Sequence, residues 1–188
     1  MSLNLYFVRH GQSVANVEKR CFYNEEGSPL TILGREQAAQ AGKQLRRVSG
    51  EIDAILCSPY KRARETCEIA LAEIYDLKRP ILIDQRVGER RFDGMVGEIV
   101  TREYHLKTWD IYSDFSAKNG IETLPALEKR ARNFLEDMKR KYDGGTIFVF
   151  SHGGFGLMLY AVLAEYPADG LFYNLKFPQN GEVINYKY

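Results

Sequence analysis

Two of the three histidines in this 188-residue chain share one setting. Arg9-His10-Gly11 follows the apolar run Leu3 to Val8, and Ser151-His152-Gly153-Gly154 follows Thr146 to Phe150. Each motif reads as the turn from a buried strand into a helix. In open α/β sheets, ligands bind beyond the carboxyl ends of strands. Arg62 falls in a comparable place, in the first turn of the helix after a strand at Ile52 to Cys57. A guanidinium fork donates paired hydrogen bonds to a phosphoryl group. An imidazole can do more, because it can attack phosphorus and form a covalent intermediate. A site that only held an anion would have little need for two imidazoles beside two guanidiniums. Gly11, Gly153 and Gly154 are expected to let a ligand approach the backbone, and the helices after His10 and His152 to aim free N–H groups at it.

The remaining pattern supplies the scaffold. A helix is predicted from Gly11 towards Lys19, then a turn-rich stretch over residues 20 to 31 (Asn24, Gly27, Ser28, Pro29). Thr31 can cap a helix carrying Leu33, Ala38, Ala41, Leu45 and Val48 at helical spacing, ended by Gly50. Ser58-Pro59 reads as the start of a helix from Tyr60 to Tyr75, with Ser58 as cap. A short strand at Ile81 to Ile83 precedes residues 86 to 123, which have no clean period and read as a lid or insertion near the site. A helix from Leu124 to Tyr142, a strand to Phe150 and a helix from Gly153 to Glu165 follow. The tail predicts a hairpin, Phe172 to Phe177 against Val183 to Tyr188 across Pro178-Gln179-Asn180-Gly181. Alternating strands and helices imply one α/β domain over residues 1 to 188. It is a three-layer α/β/α sandwich with a mainly parallel sheet, helices on both faces and the hairpin at the edge.

Composition narrows the function classes. The chain is 45% apolar and 27% charged, with a net charge of +1. That balance gives no global argument for nucleic acid or an anionic membrane as partner. No signal peptide and no membrane span are legible, so a soluble protein is expected. Three cysteines, Cys21, Cys57 and Cys67, fit a reducing cytoplasm and argue against a disulfide framework; no C-x-x-C points to zinc. A cysteine-phosphatase loop is excluded by register. It needs five residues between Cys and Arg, and after Cys57 that position is Ala63, so neither Arg62 nor Arg64 is in register. His105 is expected to be an exposed histidine of the irregular segment, with contact to substrate as the other reading. Arg86, Arg90 and Arg91 are expected on a solvated face. If they faced the site, they would favour a substrate with a second anionic group.

Four segments together resemble the histidine phosphatase superfamily, also called the phosphoglycerate mutase-like family. Arg9-His10-Gly11-Gln12-Ser13-Val14-Ala15-Asn16 looks like its R-H-G-x-S-x-x-N signature, and Leu30 to Ala38 like its L-T-x-x-G-x-x-Q-A segment. Ser58 to Thr66 is similar to its S-P-x-x-R-A-x-x-T helix start, and Ser151 to Gly154 to its second-histidine turn. The resemblance implies a phosphoglycerate mutase-like fold and a metal-independent phosphoric monoester hydrolase with no cofactor. His10 would become phosphohistidine. Arg9, Arg62 and His152 would hold the phosphoryl oxygens, with Gly11 and Gly153 beside them and Ser13 and Asn16 as secondary contacts.

The family's general acid lies in an L-x-E-x-x-x-G-like segment, matched by Val87 to Gly97. Glu89 aligns with the acid, and Phe92 and Gly97 fit. The usual Asp before Phe is Arg91, the usual Gly after it is Asp93, and the frequent Trp is Met95. Glu98 and Asp93 are therefore rival donors. The substrate implied is a small phosphorylated metabolite. A homodimer is left open. The alternatives are mutase-type phosphoryl transfer, a phosphate-binding regulatory module with little turnover, and a phosphatase of phosphoprotein substrates.

Overall fold

The computed structural model describes residues 2–21, 25–74 and 78–188. Asn24 and Tyr75, named above for a turn and a helix end, lie outside them. Among the described residues five strands form one sheet: β1 (Asn4–Arg9), β2 (Ala54–Cys57), β3 (Ile81–Ile83), β4 (Thr146–Ser151) and β5 (Val183–Lys187). Their order is β3-β2-β4-β1-β5. Pairings among β1 to β4 are parallel, and β5 runs antiparallel to β1. The sheet is thus mixed but mainly parallel, within the expected α/β class.

Away from their ends the central strands are apolar on both faces, because both faces are covered. Leu5, Phe7, Leu56, Ile147 and Val149 pack with α6 (Leu124–Lys141) and α7 (Gly153–Leu163). Their alternates Val8, Ile55, Cys57, Phe148 and Phe150 pack with α2 (Ile32–Leu45) and α3 (Lys61–Ala72). The period of two along each strand therefore divides the core between two helical layers. Helix α6 buries Leu124, Leu127, Ala131, Phe134, Leu135 and Met138, a stripe at helical spacing. Thr123 caps it by accepting from the Ala126 N–H, as Thr31 caps α2 through the Gly34 N–H.

Residues 85 to 121 hold two single 3₁₀ turns and the short helices α4 (Arg102–Thr108) and α5 (Phe115–Lys118). A small cluster of Cys21, Phe92, Tyr104 and Ile121 gives this segment apolar support of its own.

Three sequence expectations need correction. The tail is not a hairpin: Phe172–Asn174 is a 3₁₀ turn, and β5 pairs with β1 instead. Phe172 is buried in the main core, and β1 has an open edge that β5 can complete. The helix after His10, α1 (Val14–Glu18), starts three residues later than expected. Helix α3 starts at Lys61 with Tyr60 at the cap position, so Ser58 is not its cap.

Candidate active site

Register brings the two histidines together. Strands β1 and β4 are adjacent and parallel with Arg9 opposite Ser151, so His10 and His152 leave the sheet at the same level. Their ring centroids are 5.1 Å apart at 66°. Neighbouring β2 delivers Ser58, whose N–H bonds the Phe150 carbonyl. From α3 comes Arg62, buried like both imidazoles.

The partners of His10 fix its tautomer. Nδ1 lies 2.7 Å from the Gly11 carbonyl, which can only accept, so Nδ1 carries the proton. Nε2 is then the bare nitrogen, and it accepts from Arg62 Nε at 3.2 Å. Burial lowers the pKa of His10 well below the ordinary 6.5, and the Arg62 and Arg9 charges push the same way. A neutral ring with a lone pair on Nε2 is the form a nucleophile needs.

His152 is set up differently. Its Nε2 is 2.7 Å from the Ser58 hydroxyl. The Tyr60 N–H donates to that same oxygen at 3.4 Å. His152 Nδ1 is buried with no hydrogen-bond partner among the described residues; with the Ser58 hydroxyl donating to Nε2, Nδ1 is a donor. Arg9 is held by Nη1 donating to the Pro178 carbonyl at 2.6 Å, while its buried Nε likewise has no such partner. Buried donors of this kind call for an acceptor, and an oxoanion would supply one to each. Burial also holds His152 well below 6.5, with Arg62, His10 and Arg9 adding to the effect.

A stability prediction follows from these depressed values. Above pH 6.5, the ordinary value, both histidines are neutral folded or unfolded and cost nothing. Below it the unfolded chain binds protons that the folded chain refuses, so stability falls as pH falls. Thermal unfolding in a buffer free of phosphate is expected to show Tm declining below about pH 6.5. His152→Asn should flatten that decline, and an unchanged slope in this variant would contradict the assignment.

Glu89 reaches the same place from the loop after β3. Its Oε1 accepts from the Gly154 N–H at 2.9 Å and the Arg90 N–H at 2.8 Å. A Cβ at position 154 would lie 2.4 Å from Glu89 Oε1, so a larger residue there would push the carboxylate from its place. The charge of Glu89 also acts on Arg9 and on Tyr60, whose ring meets His152 edge-on at 5.1 Å. Of the rivals, Asp93 and Glu98 are both exposed. The Glu98 carbonyl accepts the Cys21 N–H.

Other candidates fall elsewhere. The N–H groups after His10 are not free: Gly11 donates to Thr66 Oγ1, Gln12 to Gln37 Oε1, Ser13 to Asn16 Oδ1 and Val14 to the Pro29 carbonyl. Gly11 itself serves packing, since a Cβ there would lie 2.1 Å from the Gly34 carbonyl oxygen. Gly153 lies against the Arg9 guanidinium, 3.2 Å from where its Cβ would be. Ser13 and Asn16 hydrogen-bond each other, and Asn180 Nδ2 bridges Asn16 Oδ1 to the His10 carbonyl. His105 is half-buried against Trp109 and Phe177.

The arginine cluster does not share one solvated face. Arg90 is fully buried, donates to Glu122 O, Thr108 O and Ser116 Oγ, and stacks on Trp109 at 4.6 Å. Arg86 pairs with Asp84 and Asp137. Arg91 is exposed and lines, with Tyr60, Gln85, Glu89 and Arg130, a cavity of about 250 Å³.

Sequence reasoning missed three residues. Ser58, a helix cap on sequence grounds, instead bonds His152. Thr66 ties α3 to Gly11 while donating to the Arg62 carbonyl. Arg130, one charge among many on α6, bonds the loop that carries Glu89. Only Ser58 and Thr66 had a signal, their places in the S-P-x-x-R-A-x-x-T segment. Among the described residues, no three His, Cys, Asp or Glu side chains gather as a metal cluster, and no helix is long and apolar enough to cross a membrane.

A mainly parallel α/β sheet places two imidazoles and Arg9 past the carboxyl ends of adjacent strands, with Arg62 of α3 beside them, an arrangement suited to an oxoanion. The chain belongs to the histidine phosphatase superfamily (branch 1), whose family model matches residues 5–188. A Hydrogenobacter thermophilus protein provisionally named phosphoserine phosphatase 2 is 30% identical over 172 residues, 89% of this chain and 80% of the relative. A 2,3-bisphosphoglycerate-dependent phosphoglycerate mutase of Neisseria meningitidis is 30% identical over 146 residues, 74% of this chain and 60% of the mutase. Among solved structures, Bacillus stearothermophilus YhfR superposes with a TM-score of 0.82 at 26% identity, covering 97% of this chain and 90% of that one.

Proposed function

We propose that the chain is a phosphatase that hydrolyses phosphomonoesters of small metabolites through a phosphohistidine on His10, without a metal ion. The observation that carries this reading is the state of His10: neutral, with Nδ1 tied to the Gly11 carbonyl and Nε2 facing Arg62. Arg9, Arg62 and His152 surround the transferring phosphoryl group and stabilise its equatorial oxygens. In such transfers positioning and charge do most of the work.

In the first step His10 Nε2 bonds phosphorus as the ester P–O bond breaks. The leaving oxygen takes a proton from the carboxylic acid of Glu89. In the second step the Glu89 carboxylate removes a proton from water as the water oxygen attacks phosphorus. The N–P bond breaks, and phosphate leaves with His10 neutral again.

Two relatives with phosphatase names are matched over 80% and 84% of their length, whereas the match to the Neisseria mutase spans 60% of its length. Both facts favour hydrolysis over the mutase reaction, which would return the phosphoryl group to the same molecule. The test varies the leaving group. Glu89→Gln is expected to slow an alkyl phosphate by about 10² or more while slowing p-nitrophenyl phosphate much less, because a good leaving group needs little acid help. Equal losses would move the acid to Asp93 or Glu98. A wild-type protein that releases phosphate from no ester would support the binding-module reading, and product analysis with phosphoglycerate separates hydrolysis from mutase action.

A further inference from the structure

We infer that Arg130 is a positioning residue for the proposed proton donor: its guanidinium pins the main chain of residues 86 to 89 so that the Glu89 carboxyl is presented to the leaving oxygen. This rests on the reading of Glu89 given above.

Arg130 lies on the second turn of α6, remote in sequence from every motif of the site. A guanidinium has five N–H donors, and all five are used. Nη1 donates to the carbonyls of Arg86 at 2.6 Å and Gly88 at 2.9 Å. Nη2 donates to the Glu89 carbonyl at 3.2 Å and to Glu122 Oε2 at 2.7 Å. Nε donates to Glu122 Oε1 at 2.9 Å. Glu122 thus holds the fork in its plane, and its own carboxylate takes the Arg91 N–H just beyond the pinned stretch. The one carbonyl that Arg130 leaves, Val87, accepts from the Ser151 hydroxyl at 2.6 Å. Every carbonyl from 86 to 89 is therefore held from outside the loop.

This loop has no strand or long helix to give it shape; it contains a single 3₁₀ turn, Gln85–Val87. It reaches the proposed chemistry through the Glu89 side chain, fixed at the far end by Gly154 and Arg90 N–H groups. A carboxyl that must meet one oxygen atom depends on where its Cα sits. Displacements near 1 Å can cost about 10² in rate. Lysine cannot replace the fork, because three donors on one nitrogen cannot serve three carbonyls and a bidentate carboxylate together.

A merely structural arginine would, on removal, weaken the fold and slow all esters alike. A positioning arginine would slow only reactions that need the proton. The experiment compares kcat/KM for glycerol phosphate and p-nitrophenyl phosphate in the wild type, Arg130→Lys, Glu122→Gln and Glu89→Gln. Arg130→Lys is expected to lose about tenfold or more on glycerol phosphate and less than about threefold on p-nitrophenyl phosphate. Glu122→Gln should lose in the same direction, by less. It keeps the size of the side chain and carries the test if Arg130→Lys does not fold.

Selective loss in Glu89→Gln together with equal loss on both esters in Arg130→Lys and Glu122→Gln overturns the positioning role alone. Equal loss in Glu89→Gln overturns the acid reading and this inference with it. The same holds if the wild type turns over neither ester.

Discussion

Replacing His10 with alanine is expected to lower turnover of p-nitrophenyl phosphate by about 10⁴-fold or more, the scale seen when a covalent nucleophile is removed. The loss should be the same in kind on every substrate, since in the proposed scheme His10 is the group that bonds phosphorus. His152 cannot take over. Its Nε2 is occupied by the Ser58 hydroxyl, and in the proposed scheme its Nδ1 donates to a phosphoryl oxygen. The measurement has a second arm. Wild-type protein quenched during turnover should carry phosphate that is labile to acid and stable to alkali, the signature of an N–P bond. The His10→Ala protein should carry none. Normal turnover in the variant, or an alkali-labile ester on Ser13, would remove the phosphohistidine from the scheme.

The second large effect concerns no reacting group. Gly11→Ala would place a methyl 2.1 Å from the Gly34 carbonyl oxygen, and Gly34→Ala would place one 2.0 Å from the Gln12 carbonyl oxygen. Both obstacles are backbone, so neither can turn aside as a side-chain tip could. Either variant is expected to lose about 3 kcal/mol or more, the upper range for overpacking. For a chain of this size that corresponds to a fall in Tm of roughly 6–12 °C. Gly11→Ala should also lose activity beyond what unfolding explains, because the Gly11 carbonyl fixes the His10 tautomer. A wild-type melting curve for both variants would show that the two segments can move apart without penalty.

Strand and helix order was legible because the central strands are apolar on both faces and the helices carry clear stripes, as in α6. His10, His152, Arg9 and Arg62 were legible because each sits next to a strand end in a recognisable motif, and the fold does bring them to one place. The tail was misread because two apolar runs flanking an Asn-Gly turn look alike whether they pair with each other or with a third strand. Nothing local says that β1 has an open edge. Arg90 was misplaced for a related reason: three arginines in six residues look solvated, and only the tertiary fold supplies the carbonyls and the Trp109 face that bury one of them. Ser58 fits two roles on sequence grounds, cap or histidine partner, and the choice depends on where α3 begins.

The segment before β5 is stitched to the first strand's end: the Pro178 carbonyl takes Arg9, Asn180 bonds the His10 carbonyl, and the Gly181 N–H meets the carbonyls of Arg9 and His10. Contacts between residues 169 and 170 positions apart in the chain thus hold the backbone that carries His10. Loosening the pairing of β5 with β1 is therefore expected to loosen that imidazole as well.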